Sequence, residues 1–311
     1  MSIGLLDLND SNLQLWHGDA HVQSPGYALL NGGCYLFGKS ARAAARLRPR
    51  DVNTRYWWRL STEALQPALG PARHTGDLVH AHLVTLHEES GKPAEVLLAV
   101  PGSMQRDQLA LLLGIVQQCP FEAVGLVNRS VALGSLFDPA GRLFHLEIQL
   151  HQSLVSELSA REGMLELRHA TPLPGCGLLQ LQERLVEIVA AEFVRQTRFD
   201  PRRKADTEQQ LYDALPNALR ALHGGGVTNL DVNGYQARVS AQQLQAAGQR
   251  LFDSASEAMG APQPGDAVIA DSLAALLPGL SGAFEHLHVL KGSDILDALR
   301  LHQDQLTQRS E

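Results

Sequence analysis

Two carboxylates close apolar runs at positions where they could organise a cation. Asp7 ends Ile3-Gly4-Leu5-Leu6-Asp7-Leu8, and Glu147 lies in Leu143-Phe144-His145-Leu146-Glu147-Ile148. Each run is followed by a short turn, Asn9-Asp10-Ser11 or Gln149-Leu150-His151, and then by a second alternating run. An acid at a strand end beside a turn suits a magnesium ion and the phosphates that it carries, and for Asp7 a turn cap or pairing with an arginine is the equal reading. Such a turn must also press backbone amides against phosphate, which glycine allows because a Cβ blocks the approach. Neither turn contains glycine. Asp10 would add negative charge beside a phosphate, and Gln149, Leu150 and His151 would fill the space for one. The positions of a phosphate site occur twice, with the groups that would make it work replaced.

Other reactive residue types carry less. Glu147 on an apolar strand requires a partner, for which Arg129 is a candidate; a solvated loop arginine is the other reading. His80, His82 and His87 fall on a helical stretch where 80 and 82 point different ways, so a solvated face is expected. His286 and His288 alternate on one strand face without a visible third ligand, short of a zinc site. Gly224-Gly225-Gly226 lacks the lysine and hydroxyl residue of a phosphate-binding loop and reads as a helix stop. Cys34, Cys119 and Cys176 form no CxxC pair; the first two read as core residues, and Cys176, between two glycines, as the exposed one, with no role assigned. Tyr56, Trp57 and Trp58 form an aromatic cluster that is either core packing or an anchor for a partner.

These residues must be held by alternating strands and amphipathic helices. Residues 3–8 and 13–16 predict a hairpin, which 27–30 and 34–37 extend across the turn Asn31-Gly32-Gly33. A helix is expected over 39–47, a loop with a short helix over 61–78, a helix over 78–89, a strand at 96–100, a helix over 104–118 and a strand at 124–127. The second half repeats the plan from residue 143. Leu178, Leu181, Leu185, Val189 and Phe193 recur at helical spacing. A helix to Leu222, a hairpin turning at Asn233-Gly234, a helix capped by Ser240, a linker over 260–266, a strand at 267–269, a helix from Ser272, a strand at 286–290 and a final helix from Ser293 follow.

The segments GLLDLNDSN, YLFGKSARAAARLRPRDV, AEVLLAVPGSMQRDQLALLLGIV, FEAVGLVNRSVALG, LEIQLHQSLVSEL, GCGLLQLQERLVEIVAAEFVRQT and GAPQPGDAVIADSLAALLPGL stand in this order. In that order the chain resembles the actin-like ATPase superfamily, and within it the nucleotide-binding domain of DnaK-type seventy-kilodalton heat-shock chaperones. The resemblance implies an α/β, two-lobed, ribonuclease H-like duplicated fold, each lobe a β-meander plus helices. Lobe one would span 1–134 with 291–311 returning to it, and lobe two 135–290. It places the nucleotide-contacting positions on Asp7, Asn9, Asp10, Glu147, Gln149, Gln152, Arg220 and Ser272. The family's phosphate-contacting lysine falls near Trp58, its catalytic-region glutamate on Arg129, and two adenine-clamp positions on Pro216 and Leu219. An arginine cannot serve as a base near neutral pH. No segment matches the chaperone's peptide-binding domain.

A net charge of −7, 44% hydrophobic and 19% charged residues describe a globular chain without the basic footprint of a nucleic-acid binder. No apolar run is long enough to span a membrane, and no leader pattern opens the sequence. The expectation is a cytoplasmic, non-catalytic relative of the chaperone ATPase domain, a scaffold or regulator for another protein. No catalytic residue, metal ligand or cofactor is expected. The alternative is a divergent ATP-binding protein or weak ATPase with remodelled loops around magnesium, and a sugar or acid kinase of the superfamily is the third reading.

Overall fold

The protein is a mixed α/β chain; the computed structural model describes residues 2–161 and 163–308, so the last three residues of the expected C-terminal return lie outside the described residues. Two compact units divide it. Unit 1 holds residues 1–138, 160–170 and 293–311, and unit 2 holds 139–159 and 171–292.

In unit 1, β1 (Gly4–Asp7), β2 (Leu13–His17) and β3 (Ala20–Ser24) form an antiparallel meander. Next come β4 (Ala28–Asn31), β5 (Cys34–Phe37), α1 (Lys39–Ala43), β6 (Val52–Asn53), β7 (Ala64–Leu69), β8 (Ala72–His74) and α2 (Thr75–Glu89). The first half closes with β9 (Glu95–Val100), α3 (Arg106–Val116), β10 (Glu122–Asn128) and α4 (Arg129–Gly134). Its main sheet runs β10-β9-β1-β2-β3, with β9 and β10 parallel to β1.

Unit 2 contains β11 (Leu143–Ile148), most of β12 (Gln152–Arg161), the end of β13 (Met164–Pro174), α5 (Leu178–Thr197), α6 (Ala205–Ala221), β14 (Val227–Val232), β15 (Tyr235–Ser240), α7 (Ala241–Met259), β16 (Ala267–Ala270) and β17 (Leu287–Val289), while residues 160–170 of β12 and β13 are assigned to unit 1. Its main sheet runs β13-β12-β11-β16-β17, and β16 and β17 again join the first strand in parallel. The two sheets thus share one strand order, in which the opening strand of the meander becomes the centre. That placement explains why β1 and β11 are buried along their whole length. The chain ends in unit 1 with α8 (Asp294–Leu301) and α9 (Gln303–Leu306).

Each core follows from the expected periodicity. Leu6, Leu8, Leu13, Leu15, Val96 and Leu98 pack with Leu78, Leu83 and Leu86 of α2 in unit 1. In unit 2, Phe144, Leu146 and Ile148 pack with Leu181, Leu185, Val189 and Phe193 of α5. The turn at Asn233-Gly234 takes two positive φ angles, 53° and 79°, which match the twist of a two-residue hairpin. Ser240 caps α7 by accepting from the Gln243 amide at 3.2 Å.

Several expectations fail. β4 and β5 do not extend the main sheet but form a separate one, β5-β4-β6. Residues 61–78 hold the hairpin β7–β8, whose inward Leu65 and Leu69 were hidden in a segment broken by prolines and glycines. The helix expected from Ser272 is only two 3-10 turns, Ala274–Leu276 and Leu280–Gly282, because Pro278 and Gly279 interrupt it. The cysteines reverse: Cys34 is exposed near a hairpin turn, Cys176 is fully buried, and Cys119 is half-buried, its thiol pushed up by burial to about 11.

His82 and His87 are buried rather than solvated. His82 lies flat against Phe37, with ring centroids 4.6 Å apart. Its Nδ1 lies 2.7 Å from the Tyr56 hydroxyl and 3.2 Å from the Trp57 indole nitrogen, and its Nε2 lies 2.7 Å from Ser24 Oγ. An indole N–H only donates, so Nδ1 is bare and Nε2 carries the proton toward Ser24. Burial lowers the His82 pKa to about 3. The unfolded imidazole therefore takes a proton near pH 6.5 that the folded one refuses until about 3, and this contribution to stability fades as pH falls through that window. Denaturant titrations should lose up to about 1.4 kcal/mol per pH unit below 6.5 from this source. His82→Asn should lose that component, and superimposable pH profiles for the two proteins would contradict the assignment.

Candidate functional site

The two central strands deliver their carboxylates to equivalent places. Asp7 is the last residue of β1 and Glu147 the last but one of β11, and both are completely buried. Across unit 1, Asp7 lies beside Ala99, and Ala99 beside Val127. With strands about 4.8 Å apart, β1 and the end of β10 are within reach of a long side chain. Asn128 ends β10 and caps α4, its side-chain oxygen accepting from the Ser130 and Val131 amides at 2.9 and 3.2 Å. This cap fixes Arg129, which donates from Nε to Asp7 Oδ1 at 2.8 Å. The side chains are 8% and 1% exposed, so the pair is removed from water. Asp7 is thus a partner of Arg129 that the sequence reading had not paired with it.

The turn after β1 binds itself. Asn9 Oδ1 accepts from the Ser11 amide at 2.9 Å and from its hydroxyl at 2.8 Å, while the Asn9 carbonyl accepts from the Asn12 amide at 3.0 Å. The Asp10 carbonyl accepts from the Gly26 amide at 2.8 Å. Asn9, Asp10 and Ser11 are all buried. Arg42 and Arg46 lie close enough to Tyr27 to act on its hydroxyl, and Asp10 acts on it in the opposite sense; burial dominates and pushes Tyr27 up to about 12.

In unit 2 the turn after β11 is held from three sides. Glu147 Oε1 accepts from the Gln149 side-chain amide at 2.9 Å, and Gln149 Oε1 accepts from that of Gln152 at 3.0 Å. The first two amides of α5, Leu178 and Leu179, donate to the Gln149 and Leu150 carbonyls at 2.8 and 3.0 Å. These are orphan donors in any helix and would be the natural ligands of an anion. Gly177 sits so tightly under the turn that a Cβ there would lie 2.3 Å from the His151 carbonyl carbon. Leu150 is fully buried.

The remaining positions scatter within unit 2. Arg220 donates to Asn217 Oδ1 at 2.7 Å, and Ser272 is exposed. Asp271, between them in the expected adenosine segment, turns inward: its carboxylate accepts from the Ile148 amide at 3.3 Å and lies 3.4 Å from His145 Nε2. The sequence held a signal for this pair, a histidine and a glutamate on one face of an otherwise apolar strand. A cavity of about 740 Å³ opens beside the end of α6, lined by His223, Gly224, Gly226, Gln242, Gln245 and Leu277 among others, with no Lys, Arg, Asp or Glu in its wall. Of the aromatic cluster, Tyr56 and Trp57 are core residues at 0% and 3% exposure and offer no surface. Trp58 is half-buried, with the Arg59 guanidinium 4.8 Å above its ring. Among the described residues no group of three His, Cys, Asp or Glu side chains is placed to hold a metal, and no helix is long and apolar enough to cross a membrane.

Removing Arg129 would strand a buried carboxylate. Arg129→Ala should cost about 3–5 kcal/mol in denaturant unfolding, and Asp7→Leu/Arg129→Met should recover most of that loss. Equal losses in the single and double variants would show that the pair is not the source.

No protein-family model matches the chain, and no curated protein matches it at a significant level.

Proposed function

We propose that this chain is a non-catalytic member of the actin-like group, related to the ATPase domain of DnaK-type chaperones, and that it serves as a cytoplasmic scaffold or regulator of another protein. Support for the fold relationship is the strand order that the two main sheets share. The observation that carries the loss of catalysis is the ion pair between Arg129 and Asp7. By the resemblance, Asp7 would organise magnesium; here its carboxylate is engaged by an arginine that stands where the family carries a glutamate. The residues do not fit a triphosphate. The Leu178 and Leu179 amides are spent on loop carbonyls, and Gly177 is pressed against the same loop.

The uncharged cavity beside α6 favours a second reading, a divergent nucleotide binder that keeps a pocket for a neutral ring. Its volume is in the range of small-molecule sites. Calorimetric titration with magnesium-ATP and with ADP separates the two. The scaffold reading predicts no saturable heat and no change in melting temperature at millimolar nucleotide. A ligand at a hundredfold its Kd would stabilise by about 2.7 kcal/mol, and that result would favour the second reading.

A further inference from the structure

Unit 1 gathers a second set of polar groups at the start of β1, the end of the strand away from Asp7. The main sheet is buried on both faces there. Leu6, Leu15 and Leu98 pack with the leucines of α2. Leu5, Trp16 and Leu97, cross-strand neighbours on β1, β2 and β9, turn to the other face and are also buried. Glu95 lies two residues before Leu97 on β9 and shares that face. α8 packs on β1, with Ile295, Ala298 and Leu299 buried. Leu296 and Arg300, four residues apart, form the adjacent stripe of the helix, and Gln303 at the start of α9 continues it.

These residues line one cavity of about 280 Å³, walled by Leu5, Trp16, Glu95, Leu296, Arg300 and Gln303 among others. Among the described residues its wall holds one carboxylate, Glu95, and one guanidinium, Arg300. Glu95 is half-buried and Arg300 exposed. Neither enters an ion pair among the described residues, with the other or with a third group. The remaining titratable side chain, His17, is engaged elsewhere, its Nδ1 donating to the Ser90 carbonyl at 3.1 Å. The Trp16 ring is fixed by His21, stacked at 4.8 Å with the planes 12° apart. The cavity thus offers two opposite charges and a rigid apolar wall.

We infer that this cavity binds a free α-amino acid with an apolar side chain. Arg300 receives its carboxylate, Glu95 its ammonium group, and Leu5, Trp16 and Leu296 its side chain. A ligand with a single charge would cover the other protein charge without pairing it, which is costly. The end of a polypeptide chain carries only one of the two charges and is the poorer match. The volume lies just under the roughly 300–1,000 Å³ of drug-sized sites, which suits a molecule smaller than a nucleotide. The inference goes beyond the scaffold reading and does not depend on it, because the cavity and the Asp7 turn stand at opposite ends of β1.

The test is calorimetric titration of the full chain with L-leucine and L-phenylalanine, and with N-acetyl-L-leucine, L-leucinamide and glycine. At least one of the two apolar amino acids should bind saturably, one per chain. Each blocked analogue should bind about tenfold more weakly or worse, since each loses one charged pairing, and glycine should be weaker because it leaves the apolar wall empty. Arg300→Gln should bind L-leucine and L-leucinamide alike, and Glu95→Gln should bind L-leucine and N-acetyl-L-leucine alike. A purely structural role for either residue would leave that discrimination in place. The analogue series on the unaltered chain decides the matter even where a variant loses stability. No saturable binding of either apolar amino acid, equal binding of the blocked analogues, or discrimination preserved in the variants would each overturn the assignment.

Discussion

The buried ion pair between Asp7 and Arg129 is the constraint on which unit 1 turns. It joins residues 122 apart in sequence, across a sheet in which β9 separates β1, which carries Asp7, from β10, which leads into Arg129 at the start of α4. Neither charge could be buried alone, since desolvating an unpaired ion costs several kcal/mol. The pair therefore requires the parallel pairing of β1, β9 and β10, the Asn128 cap that orients α4, and the close packing that excludes water. A carboxylate at a strand end is suited to hold a cation; here the cation is supplied from within the chain.

Unit 2 reaches a similar end by other means. Its central strand also carries a buried carboxylate, and the following turn is closed by side-chain amides and by the first turn of α5. Gly177 is the residue that makes this closure possible, because any Cβ would strike the turn. A glycine that in another loop would admit a phosphate here admits the backbone of its own neighbour. The same close approach buries Cys176, whose carbonyl accepts from Ser153 Oγ at 2.6 Å.

Much of this was legible in the residues. The helical spacing of Leu181, Leu185, Val189 and Phe193 gave α5, and Asn233-Gly234 gave the hairpin. Part of what failed comes from taking polar or glycine-flanked residues as exposed. His82 is a polar residue placed deep in a core because Tyr56, Trp57 and Ser24 meet its ring nitrogens. Cys176 looked exposed because glycines flank it, yet those glycines mark tight packing. The separation of β4 and β5 from the main sheet was invisible because alternation fixes which face a strand buries, not which neighbour it pairs with. The pairing of Arg129 with Asp7 was a matter of strand order, which no spacing in the sequence encodes.

A crystal structure determined after soaking with magnesium-ATP tests the central claim most directly. The account predicts that Arg129 Nε remains within hydrogen-bond distance of Asp7 Oδ1, with no phosphate density against the Asn9–Ser11 turn or the amides of Leu178 and Leu179. A triphosphate seated on either set of amides, with Arg129 displaced from Asp7, would contradict it.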